Sequence, residues 1–208
     1  MNTATKLSIS AAATRGKILD AAIIVLADRG YSAAGVQEII NKSQTSKGSF
    51  YFHFPSKEKM VSALVDQLSL KLVKRVQKAI QQQPTAIDRL TIGIEVLVDS
   101  FSRQRKIAQI LVLNVMGHGQ SLDRKFLPLW QRFADLIQTE LDAAIQEKQI
   151  LPLDSSLVAQ IWLGALHQVI VRWLVTGEPN PLTEATSALQ TILLRGIGAD
   201  ITKLPKSV

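Results

Sequence analysis

The chain has 208 residues, 47% hydrophobic and 20% charged, with 24 Lys/Arg against 17 Asp/Glu for a formal net charge of +7. That length holds one large domain or a small head on a larger body, with ample apolar material for a core. Cysteine is absent, which excludes a disulfide framework, thiolate metal sites and cysteine nucleophiles, and no uninterrupted apolar run reaches the roughly 18 residues of a membrane span.

The first 14 residues, MNTATKLSISAAAT, hold one lysine and no apolar h-region. Residues 1–13 therefore read as a flexible tail rather than a signal peptide, and a cytoplasmic location is expected. Strand-like alternation is missing throughout, and apolar residues recur every three or four positions, so the chain is predicted to be all-α. A first helix is predicted from Thr14 to Arg29, with Ile18, Leu19, Ala22, Val25, Leu26 and Ala27 towards a core and Gly30 as a left-handed cap. A short second helix begins near Ala34 and carries Val36, Ile39 and Ile40. A tight turn through Lys42–Thr45 leads to a third.

Ser56, after Pro55, is predicted to cap a long fourth helix reaching about Gln82. A fifth helix is expected over Thr85–Ser102 and a sixth over Arg103–Met116, stopped by Gly117 and Gly119. The seventh, Ser121–Gln149, contains Pro128 and should start late or kink there. Asp154 opens an eighth that closes at Gly177, and the ninth spans Leu182–Gly196. Three short helices are thus followed by six mostly longer ones.

The densest chemistry lies in Thr45–Lys59, TSKGSFYFHFPSKEK. Thr45, Ser46, Lys47 and Ser49 place hydroxyl and ammonium donors on the first turn of a short helix. Phe50 and Phe54, four apart, share a face that anchors in a core. Tyr51 and His53 fall on other sides. A polar, cationic N-terminal end on an apolar anchor suits a reader of the DNA major groove. The charge agrees: residues 1–59 carry eight Lys/Arg against four Asp/Glu, the larger share of the excess in the smaller part of the chain.

This string resembles the recognition-helix signature of the TetR/AcrR family of bacterial regulators, close to VSKGTLYxHFxSKExL. TRGKILDAAIIVLADRGY is similar to that family's first helix, and the resemblance extends from Thr14 to about Leu64. It implies an N-terminal helix-turn-helix head over 14–59 and a larger helical ligand-sensing and dimerisation body over 60–208, about nine helices in all. It further implies that Thr14, Arg15, Lys17, Lys47, Ser49, Tyr51, His53 and Lys57 meet the groove or its phosphates. Thr45 and Ser46 join them as donors at the start of the recognition helix. Three departures stand out. Ala34-Gly35 replaces the usual Thr-Ser, Ile40 replaces a common Ala, and Ser43-Gln44 replaces the Ala-Gly of the turn. If Gln44 must be left-handed, it costs roughly 1 kcal/mol relative to glycine.

In the body, polar side chains interrupt apolar helices. Asn114 and His118 belong to the sixth helix and its end, and His167 to the eighth. With Phe101, Trp130, Phe133 and Trp162 they are candidate lining for a small-molecule pocket, although each is also the kind of residue a helical core uses for packing. Ile161, Gly164, Ala165 and Val169 form one stripe, and Leu189, Ile192 and Leu193 another. Both suit pairing with a second copy across a two-fold axis. In the resembling family these helices form a four-helix dimer bundle.

The expected function is a ligand-responsive regulator, most simply a homodimeric repressor of a palindromic operator released by an unidentified small-molecule effector. The partners are double-stranded DNA, that effector and a second copy, with no membrane, metal or cofactor. An enzyme is the first rival. The three histidines, at 53, 118 and 167, show no metal-ligand spacing, and no phosphate loop or nucleophile elbow is present. A regulator without ligand control, or an interaction protein that keeps the fold alone, is the second rival, and activation rather than repression a third.

Overall fold

The computed structural model describes the backbone of residues 3–113 and 120–200 and the side chains of 11–113 and 130–200. The described residues form helices and turns, with no strand. The first helix, α1 (Thr3–Ala33), starts well ahead of Thr14, so most of the segment read as a tail continues its backbone. Ile18, Leu19, Ala22, Val25 and Leu26 are buried on its inner side, the pattern expected of a helix with one face on a core. Gly30 has φ 74° and ψ 170°, a kink followed by one more turn rather than the left-handed cap predicted.

Two short helices complete the head, α2 (Val36–Ser43) and α3 (Lys47–His53). No side chain caps α2, because Gly35 stands at its N-cap. Gln44 does close it in a left-handed conformation, φ 54° and ψ 38°, the strain anticipated for a non-glycine residue in that turn. The Ser46 hydroxyl caps α3 by accepting from the Ser49 amide at 3.0 Å. Ser56 does the same for α4 (Lys57–Ile80), accepting from the Lys59 amide at 3.2 Å.

The body continues with α5 (Ala86–Arg103) and α6 (Arg105–Ala108), then a π-helical turn at Gln109–Leu113. α7 (Gln120–Gln146), α8 (Ser155–Thr176) and α9 (Ala185–Gly196) follow, the last preceded by a 3-10 turn at Leu182–Glu184. The sixth helix is therefore not the uninterrupted α-helix predicted, and α7 passes through Pro128 as one element. The start of α5 is fixed on the end of α7. The Glu147 carboxylate accepts from the Ala86 amide at 2.9 Å, and the Gln149 side chain accepts from the Ile87 amide at 3.1 Å. Arg89 joins the same knot, 2.5 Å from Glu140 and 2.8 Å from Glu147. The amide bond from Ala86, then Arg89, holds the Glu147 carboxyl below its ordinary range.

One apolar cluster runs from Ile18 and Phe50 in the head, through Leu68 and Leu72 of α4, to Trp162 and Leu194 in the body. α1 packs on α2, α3 and α4, and also on α6 and its π-helical turn. Head and body therefore share a continuous core along α4 and across the α1–α6 contact.

Candidate nucleic-acid interface and effector cleft

Phe50 and Phe54 are 0% and 2% exposed, which locks α3 onto the head. Its other residues are presented outwards: Lys47 is exposed, Tyr51 is 45% exposed and Phe52 79%. His53 is partly buried, its ring edge-on to Phe52 with centroids 5.1 Å apart. Lys17 is exposed on α1. Arg15 is partly buried there, its guanidinium lying 5.1 Å from the centre of the Phe54 ring. Thr14 is partly buried as well.

Several of the expected donors already have partners. The Ser46 oxygen caps α3, and Thr45 Oγ1 sits 2.8 Å from Ser43 Oγ. Lys57 differs more from expectation. Its ammonium donates to the carbonyls of Tyr31 and Ser32, the latter at 3.5 Å, and lies 4.6 Å from the Tyr31 ring centre. Partial burial lowers its pKa. Lys57 thus joins the start of α4 to the end of α1 and is less free to meet phosphate than Lys47. Phe52 is the residue sequence reading missed. Its position is variable in the signature, and its only sequence signal is a third phenylalanine off the anchoring spacing of Phe50 and Phe54.

In the body, two adjoining clefts lie between α4, α5, α7 and α8. The first, with about 510 Å³ of empty space counting what is open to solvent, is walled by residues including Val76, Leu90, Ile94, Phe133, Trp162 and Leu166. Arg89 and Glu140, already paired, stand at its polar margin. The second, about 390 Å³ on the same measure, adds Phe101, Val112, Trp130, His167 and Ile170. Both share Leu97, Phe133, Leu163 and Leu166. The five described candidates Phe101, Trp130, Phe133, Trp162 and His167 therefore do converge on one region. Asn114 and His118 lie outside the described residues.

The second cleft carries an unmet demand. Trp130 Nε1 and His167 Nε2 are buried without a hydrogen-bond partner among the described residues. Their rings meet edge to face, centroids 4.9 Å apart. Burial lowers the His167 pKa, opposed by a hydrogen bond to the Val112 backbone.

The residues expected to pair differ in exposure. Ile161 is 57% exposed and Ile192 68%, Gly164 is exposed, and Ala165 and Val169 are partly buried. Leu189 and Leu193, however, are 8% and 7% exposed. They point into the core of their own protomer and offer little to a partner. Instead Leu157 and Val175, 57% and 70% exposed, extend the Ile161–Gly164 stripe along α8 at helical spacing. By length and composition α8 is apolar enough to cross a membrane, but one side of it, including Trp162, Leu166, Ile170 and Trp173, is buried in the core.

Residues 18–64 match the family model for bacterial regulatory proteins of the tetR family. The chain is 22% identical over 182 residues to the fatty acid metabolism regulator protein of Bacillus subtilis, covering 87% of this chain and 94% of that one. Over 85 residues it is 36% identical to the transcriptional activator FasR of Mycolicibacterium smegmatis, 41% of this chain and 39% of the relative. Its fold superposes with a TM-score of 0.82 on the crystal structure of FadR from Bacillus subtilis in complex with stearoyl-CoA, at 22% identity, covering 87% of this chain and 98% of that one.

Proposed function

The chain belongs to the TetR family of bacterial transcriptional regulators, and from that premise we propose that it is a homodimeric repressor released from its operator by a ligand with a long apolar chain. The head over 14–59 reads DNA, the body over 60–208 senses the effector and pairs, and the protein acts in the cytoplasm. The observation that carries the effector class is the pair of adjoining clefts walled almost wholly by aliphatic and aromatic side chains. Such walls reward burial of hydrocarbon and offer little to a charged compound. A fatty acyl thioester, the class bound by the FadR relative, fits that description.

Two copies joined through α8 and α9 would set two α3 helices in successive major grooves, about 34 Å apart. An effector that favours a body arrangement with a different head spacing shifts the population away from the DNA-competent state. The test is fluorescence anisotropy on DNA upstream of the protein's own gene, with and without stearoyl-CoA. Tight, salt-sensitive binding that stearoyl-CoA reverses is the expected result. Binding indifferent to acyl thioesters of every length overturns the effector class, and binding no tighter than to unrelated DNA overturns the repressor.

A further inference from the structure

We infer that the second cleft recognises a hydroxyl group on the apolar chain of the effector, held between Trp130 and His167. The inference rests on the reading of the clefts as the effector site and goes on to the polar chemistry within it. Trp130 Nε1 carries a hydrogen and nothing else, so it is only a donor. His167 is hydrogen-bonded to the backbone of Val112, within the π-helical turn, where the carbonyl is the group that can accept from an imidazole N–H. The free nitrogen is Nε2, so the proton given to Val112 resides on Nδ1, and in the neutral ring Nε2 is left as an acceptor. Burial keeps that ring neutral.

The cleft thus presents one donor and one acceptor, adjacent because the two rings touch at 4.9 Å, in walls whose other described residues are apolar. Unpaired buried polar atoms are uncommon and costly. A single ligand atom that answers both must accept one hydrogen bond and donate another, which describes a hydroxyl oxygen. A thioester carbonyl or an ether accepts from Trp130 but leaves His167 unpaired. A carboxylate has no proton to give and would require His167 to ionise, with no other cation among the described residues lining this cleft. A water molecule would satisfy the same two atoms, and a hydroxyl reproduces its hydrogen bonds when displacing it.

The experiment is titration calorimetry of the full chain at pH 7.5 with three chains of matched length: 1-dodecanol, methyl undecyl ether and dodecanoate. The alcohol is expected to bind about tenfold more tightly than the ether, the worth of one added buried hydrogen bond. His167→Phe, which keeps an aromatic ring, should lose that preference while still binding the ether. Trp130→Phe removes the donor that both oxygens use and should weaken alcohol and ether alike, keeping the preference. Equal binding of alcohol and ether by the parent, or a preference that survives His167→Phe, overturns the hydroxyl assignment and leaves the apolar effector site standing. Tightest binding of dodecanoate overturns it in favour of an ionised pair. If none of the three chains binds, the reading of the clefts as the effector site fails, and this inference with it.

Discussion

Lys106 Nζ lies 3.3 Å from Asp28 Oδ1, so the short helix beside the second cleft is tied by charge to the late turns of the head's first helix. One residue earlier, Arg105 reaches the other way. It donates to the Leu174 carbonyl at 2.8 Å and lies 4.6 Å from the Trp173 ring centre. α6 is therefore gripped by the head on one side and by α8 on the other, and its π-helical continuation carries the Val112 carbonyl that orients His167. A shift of α8 or of the π-helical turn on ligand binding has a direct route to α1.

Both partners of the Lys106–Asp28 pair are about half exposed, and such pairs contribute roughly 0–1 kcal/mol. Lys106→Ala should leave the unfolding midpoint nearly unchanged. Its effect should fall on coupling, moving the effector concentration for half-release severalfold. Operator titrations at graded effector concentrations measure this, and an unmoved half-release point would place the coupling in the α4 route instead.

Lys47 and Lys57, equivalent in the sequence, should behave differently. Lys47 is exposed on α3, so Lys47→Ala should lower operator affinity and reduce the salt slope by about one unit. Lys57 holds the carbonyls of Tyr31 and Ser32. Lys57→Ala should lower the thermal midpoint and change the slope by clearly less than Lys47→Ala. Equal slope changes would show that Lys57 leaves those carbonyls for phosphate when DNA binds.

The contrast marks where sequence reading stops. Helix positions were legible because burial imposes spacing: Ile18, Ala22, Val25, Phe50 and Phe54 could be assigned inward from pattern alone. Caps at Ser56 and Asp154 were legible because each hydroxyl or carboxylate stands just before a helix, whereas Ser46, read as a donor towards DNA, caps α3 instead. The direction of a single side chain on a two-sided helix was not. Leu189 and Leu193 lie beside Ile192 in a stripe that sequence cannot orient, and the structure turns the first two inwards. The π-helical turn at Gln109–Leu113 has no residue signature, since Ile, Leu and Val suit either helix. The clefts were legible only as a residue list.

Phe52 is too exposed, at 79%, to be kept for packing within the protomer, and it stands on α3, the helix proposed to enter the major groove. Apolar side chains there contact the thymine methyl group. Phe52→Ala should weaken operator binding about fivefold to tenfold. Replacing operator thymines by deoxyuridine should weaken the parent protein similarly and the variant much less. Independent losses in such a cycle would place Phe52 away from any thymine.

The exposed stripe of Leu157, Ile161 and Val175 on α8, with Ile192 on α9, carries the dimer expectation. A carboxylate at its centre must be desolvated against its own copy if two protomers pair there. Ile161→Asp should raise the dimer dissociation constant at least a hundredfold by sedimentation equilibrium, and should weaken operator binding as the second head is lost. Leu193→Asp should instead unfold the protomer, because Leu193 is 7% exposed in its own core. An Ile161→Asp protein that stays dimeric would move the interface elsewhere.

His167 gives the pH dependence. Burial holds its imidazole below the ordinary value of 6.5, and the Val112 hydrogen bond only partly opposes this. On lowering the pH, the unfolded chain takes up that proton before the folded chain does. The stability linked to His167 is therefore complete above about pH 6.5 and falls as the pH drops from there towards the folded-state value. Urea midpoints for the parent should decline between pH 7.5 and pH 5.5 by more than those of His167→Phe, in which the other titrating groups are unchanged. At a pH below the folded-state value the preference for an alcohol over an ether should vanish, because a protonated Nε2 donates to either oxygen. Parallel declines in parent and variant would assign the pH dependence to groups other than His167.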